Sequence, residues 1–103
     1  MILSKAILNC KNYEDTEEII HSIFAKRIDG KFRPASEALV LELTLEEAEF
    51  NWTEIAKIKC PGFEYFLEIF LLQDFYDDLL ELEEFKSDYK KVDRIIRYVE
   101  FDA

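Results

Sequence analysis

The lone histidine of the sequence, His21, stands three residues after an acid, in Glu18-Ile19-Ile20-His21. On a helix that spacing puts a carboxylate and an imidazole on one face, the half-motif from which di-iron carboxylate bundles build their metal sites. Such a site needs two copies, and one histidine supplies only one. A structural or surface His21 is therefore expected, and no metal. The same count leaves His21 as the single histidine base for any Ser-His-Asp or Cys-His scheme, and neither Cys10 nor Cys60 sits in a recognisable catalytic context. The two cysteines lie far apart among apolar residues, so reduced, buried thiols are expected rather than a disulfide scaffold. There is no Gly-rich phosphate loop, no zinc-ligand spacing and no Asp-x-Asp-x-Asp-Gly calcium loop. The expectation is a protein without a cofactor and without catalysis.

Carboxylates are what the chain has in quantity. Asp and Glu number 23 against 13 Lys and Arg, a formal net charge of −10 over 103 residues. The excess is local: residues 62–85 hold eight acids and no base, and residues 34–56 hold six acids and no base. In the run FLLQDFYDDLLELEEF, residues 70–85, a helix of about 100° per residue places Asp74, Asp77, Asp78, Glu81 and Glu84 on one stripe. Tyr76 and Phe85 lie beside it. Such a chain repels phosphate, which argues against direct nucleic-acid or anionic-membrane binding and favours a basic protein partner. A solvated helix face is the plainer explanation of any single charge run. Lys86, Lys90, Arg94 and Arg97 form a basic stripe that a hairpin turning near Ser87 would lay against the acids. The other basic cluster, KRIDGKFR at 26–33, reads as a solvated loop, and Trp52 as a core residue or an interface anchor.

The elements that would position these groups read mostly as helices. Gly and Pro number two each, and Val and Thr three each, while Leu, Glu and Lys abound. A helix is predicted over 13–28, with Thr16, Ile19, Ile20, Ile23 and Phe24 as its apolar face. Asp29-Gly30 and Pro34 mark a loop, and Cys60-Pro61-Gly62 a boundary. A long helix is predicted over 63–85; in its first half Phe63, Phe66, Leu67 and Phe70 occupy the direction of the acidic stripe, so that half is expected in the core and the second half in water. A last helix is predicted after a cap at Ser87 or Asp88, with a terminal strand RIIRYVEF as its alternative. Residues 36–60 carry two patterns. Leu39, Leu41, Leu43 and Leu45 alternate as in a strand, Ala38, Leu41, Leu45, Ala48, Trp52 and Ile55 step as in a helix, and Thr44 with Glu47 forms a capping-box signature. Helix is preferred there; a strand over 38–44 followed by a helix is the other solution.

The sequence thus points to a mainly α fold, a compact single domain over 1–103 made of four to five helices. The alternative is a small α+β domain with strands near 5–10, 38–45 and 94–101. The N-terminus has no signal-peptide pattern and no segment reaches the roughly 20 apolar residues of a membrane helix, so a cytoplasmic protein is expected. The functional expectation is a small acidic inhibitor, of the immunity or antitoxin type, that covers the active or nucleic-acid-binding surface of a basic toxin such as a nuclease. Asp74, Tyr76, Asp77, Asp78, Glu81 and Glu84 are its expected contact residues. The alternatives are a nucleic-acid mimic that blocks a DNA- or RNA-binding protein, and a helical adaptor or oligomerisation module.

Overall fold

The computed structural model of the chain describes residues 1–101. Within them the fold is α+β, which corrects the expected helical bundle. Strands β1 (Ile19–Ala25), β2 (Ala38–Thr44) and β3 (Glu64–Glu68) form one antiparallel sheet in the order β2-β1-β3. The helices are α1 (Leu3–Leu8), α2 (Leu45–Ala48), α3 (Trp52–Lys59), α4 (Ile69–Leu80) and α5 (Asp88–Phe101). Short 3-10 turns, Cys10–Asn12 and Glu83–Phe85, follow α1 and α4.

The helix expected over 13–28 is an irregular segment followed by β1. β1 is the middle strand, with both edges paired, and helices cover both of its faces. Ile23 and Ala25 join Leu3, Ile7, Phe66, Ile69, Leu72 and Ile95 in a core under α1, α4 and α5. Phe24 joins Leu43, Ile55 and Ala56 in a second core under α3. Burial on both faces removes the apolar–polar alternation of a half-exposed strand, and β-branched Ile19, Ile20 and Ile23 fit the pleat better than a helix. Glu18 falls in the bend before β1 and His21 inside it, so no helical face joins them.

Residues 36–60 satisfy both patterns in turn. Leu39, Leu41 and Leu43 face the second core from β2. Thr44 then caps α2 with its side chain while the Glu47 carboxylate accepts the Thr44 N–H at 3.0 Å, a capping box. The strand of the alternative near 38–45 is thus present, but 5–10 belongs to α1 and its 3-10 turn, and 94–101 to α5. The helix expected over 63–85 is in fact β3 followed directly by α4, with Glu68 still extended at φ −72°, ψ 141°. α4 ends at Leu80, and Leu82 returns to extended backbone at ψ 124°.

The β1–β2 connection turns at Asp29 and Gly30, both at positive φ (53° and 80°) between the bridged pair Ile28 and Lys31, the backbone a type I′ turn requires. Glu100 on α5 ties this loop down. It accepts the Phe32 N–H at 2.6 Å and the Arg27 Nη1 at 3.0 Å. Arg27 also pairs with Glu64 and lies 4.1 Å over the Phe32 ring, and Lys26 pairs with Glu37. Arg33 donates from Nε to the Ile28 carbonyl at 3.3 Å, so three of the four bases of the 26–33 cluster are engaged within the chain.

Candidate functional site

α4 begins in the core and keeps one face there: Ile69, Leu72 and Leu79 are buried. Gln73 fixes its rotation, donating from Nε2 to the carbonyls of Cys10 and Tyr13 at 2.8 Å each. The opposite stripe carries Phe70, Leu71, Asp74, Asp77, Asp78 and Glu81, which fall within about 120° of one another at helical spacing and are all exposed. Glu81 belongs to the stripe because its backbone is still helical at φ −86°, ψ −7°.

The aromatic start of this stripe was expected inside the core. Instead Phe70 and Leu71 are each 44% exposed, and the turn of helix that precedes them in the sequence pattern is a strand. The surface therefore runs from apolar to acidic along α4. Helical periodicity does not carry it to Glu84, since the helix has ended. The 3-10 turn brings Glu84 back beside Asp78 at the rim of a concavity of about 380 Å³, with Phe75, Leu79, Leu82 and Phe85 forming its apolar walls and Arg94 of α5 at its side. Arg94 lies 5.5 Å over the Phe75 ring.

The internal pairing expected for these acids is not the one seen. α4 and α5 do form a hairpin around Ser87, whose Oγ accepts the Lys90 N–H at 3.1 Å. Two of the four residues of the basic stripe find other partners: Lys86 meets Glu83 and Arg97 meets Asp93. Among the stripe acids Asp77 alone makes an ion pair within the described residues, with Lys11 from the 3-10 turn after α1. Tyr76 is half-buried and packs against the main core. Burial pushes its hydroxyl up, with the Asp88 charge adding to it. Tyr76 is thus on the core side of α4, about 100° around the helix from Asp77 and off the stripe, and Phe70, Leu71 and Leu82 are exposed apolar groups near the acids that sequence reasoning missed.

His21 has a partner that the sequence did not announce. Asp15 Oδ1 accepts both the His21 backbone N–H, at 2.9 Å, and Nδ1, at 2.8 Å. His21 Nε2 is left 3.5 Å from Glu42 on β2. Asp15 Oδ2 is buried without a hydrogen bond among the described residues. The arrangement closes the edge of β1 where β3 stops pairing with it, at Ser22. Nearby, burial raises the Glu68 carboxyl, the Tyr65 hydroxyl lowers it, and the Asp15 charge raises it again.

Cys10 and Cys60 are both free and buried, and burial pushes the Cys10 thiol up to about 11. Thiols so protonated are poor nucleophiles. No group of three His, Cys, Asp or Glu side chains among the described residues is placed to hold a metal ion. A concavity of about 480 Å³ lies between α3 and β3. Trp52 stacks on Tyr65 there at 4.6 Å between ring centres, so its ring is spent in holding α3 to the sheet. No described helix is long and apolar enough to cross a membrane. Comparison of the chain with protein-family models, with curated proteins and with solved structures returns no match.

Proposed function

We propose that the protein is a small acidic inhibitor that binds a basic protein partner, of the immunity or antitoxin type, through the outer stripe of α4 and the concavity beside it. The observation that carries this reading is the exposure of Phe70 and Leu71 at the head of a run of carboxylates of which Asp77 alone has an ion-pair partner, Lys11, among the described residues. Phe70 and Leu71 stand in line with the charges of α4, and protein interfaces combine apolar anchors with a polar surround. Asp74, Asp78, Glu81 and Glu84 would steer a basic surface to the site and set the rate of encounter. Phe70, Leu71 and Leu82 would be covered on docking and slow the departure. The Asp78 and Glu84 carboxylates at this concavity would receive an Arg or Lys side chain of the partner. Inhibition would follow from occlusion of the partner's positive surface.

The test compares two baits in capture from the source cell at low salt. One is the native chain and the other carries Asp74→Asn, Asp78→Asn, Glu81→Gln and Glu84→Gln. Asp77 is left alone because it pairs with Lys11. A basic protein held by the native bait, released by moderate salt and not retained by the variant is the expected result. Identical retention by both baits would refute the role of the stripe.

A further inference from the structure

The hydrogen-bonding pattern of β2 leaves a short piece of sheet edge open, and its position is fixed by which groups are already used. The Ala38 N–H donates to the Met1 carbonyl at 2.8 Å and the Ala38 carbonyl accepts from the Met1 amino group at 3.4 Å, so Ala38 faces away from β1. Glu37 faces the other way, accepting the Lys26 N–H at 2.8 Å. Backbone groups of a strand alternate sides. Val40, Glu42 and Thr44 therefore point their N–H and C=O off the sheet with Ala38. The Thr44 N–H is taken by Glu47. No described residue outside the sheet bonds the N–H or C=O of Val40 or Glu42. Two donors and two acceptors remain, two residues apart on one line.

That edge is poorly guarded. Natural edges are blunted with lysine, proline or bulges, and Ala-Leu-Val-Leu-Glu-Leu-Thr has one charge, Glu42, and none of the other devices. Half-exposed Leu45 follows directly. We infer that this edge pairs with the same edge of a second copy, antiparallel about a two-fold axis at Leu41. In that register Val40 of one copy exchanges both hydrogen bonds with Glu42 of the other, and all four free groups are satisfied. A shift that sets Val40 against Val40 requires the Ala38 groups that Met1 already holds. A shift that sets Glu42 against Glu42 opposes like charges and needs the Thr44 N–H. Only the Leu41-centred register uses what is free. It also lays Leu39, Leu41 and Leu43 of one copy beside those of the other, extending the apolar face that lies under α3. The result is a continuous six-stranded sheet. The pairing is independent of the α4 stripe, which is on another element, and salt separates the two. Pairing of two chains of charge −10 strengthens as salt screens their repulsion, whereas capture of a basic partner weakens.

Sedimentation equilibrium over a range of concentrations, at low and high salt, tests this. Expected is a monomer–dimer equilibrium that shifts toward dimer with salt. Val40→Pro removes an outward N–H that β1 does not use, and the two lost bonds per dimer should weaken association by about tenfold or more. Leu41→Cys tests the register without relying on the folding of a proline variant. Facing Cα atoms at a non-hydrogen-bonded pair are about 4.5 Å apart, within disulfide reach. Mild oxidation should therefore link Leu41→Cys into a covalent dimer and leave Glu42→Cys unlinked, the native thiols being buried. A chain that stays monomeric at all concentrations in high salt would overturn the inference. So would a folded Val40→Pro variant that associates undiminished, or Leu41→Cys chains that do not link.

Discussion

Asp15 receives two N–H groups of His21 on a single oxygen, and the distance of six residues between them carries no recognised motif. Asp15 and His21 illustrate what a sequence conceals: a carboxylate in an irregular segment becomes the cap of a strand edge only once the strand is in place. Asp15→Ala leaves both donors without an acceptor beside a buried ring. It should cost about 1–3 kcal/mol of stability, measured by urea unfolding. Tyr65 supplies a second test at this scale. Burial first, and the Glu68 charge next, push its hydroxyl from 10.0 up to about 12. The folded chain therefore holds a proton that the unfolded chain releases. The stability this gives is complete below pH 10 and is lost as the pH rises through about 12. Tyr65→Phe should lose less stability than the native chain over that interval, read from urea midpoints.

At the scale of elements, the capping box at Thr44 is the plainest local signal, and the structure contains it. Thr44→Ala should cost about 1 kcal/mol, again by urea unfolding, with the sheet retained by circular dichroism. Gly62 turns the chain from α3 into β3 at φ +91°, where a side chain is strained, so Gly62→Ala should cost about 1 kcal/mol. Both boundaries, like the Asp29-Gly30 turn, were legible because capping and turn chemistry are local. β2 was half legible, its alternating leucines competing with a helical spacing that tertiary packing overrode. β1 was not legible. Its neighbours bury both faces, which erases alternation, and Ile19, Ile20, Ile23 and Phe24 then fit helical spacing equally well. β3 was hidden for a different reason. It runs into α4 at Glu68 with no turn residue between them, so Phe63, Phe66, Leu67 and Phe70 read as one helix face. That single misreading also placed Phe70 in the core. The structure places it outside, where Phe70→Ala should change stability by less than about 0.5 kcal/mol yet weaken partner binding by about 1–2 kcal/mol. Unfolding and binding measured on the same variant separate the two.

For the molecule as a whole, the charge imbalance was visible from composition alone, but its use was not. Summed charge says what kind of partner is attracted and leaves open which surface receives it. The three-dimensional arrangement narrows that choice by consuming charges: Lys26 and Arg27 are spent on Glu37, Glu64 and Glu100, and Lys11 on Asp77. Asp74, Asp78, Glu81 and Glu84 are left facing solvent beside Phe70, Leu71 and Leu82. The salt dependence of the association rate with the captured basic protein is the most direct test of this assignment, measured for the native chain and for the variant neutralised at Asp74, Asp78, Glu81 and Glu84. The account predicts a native rate that falls steeply with salt, and a variant rate that is lower at low salt, nearly flat, and converges with the native one at high salt. Equal rates and equal slopes for the two chains would contradict it and return the acids of α4 to the role of a solvated helix face.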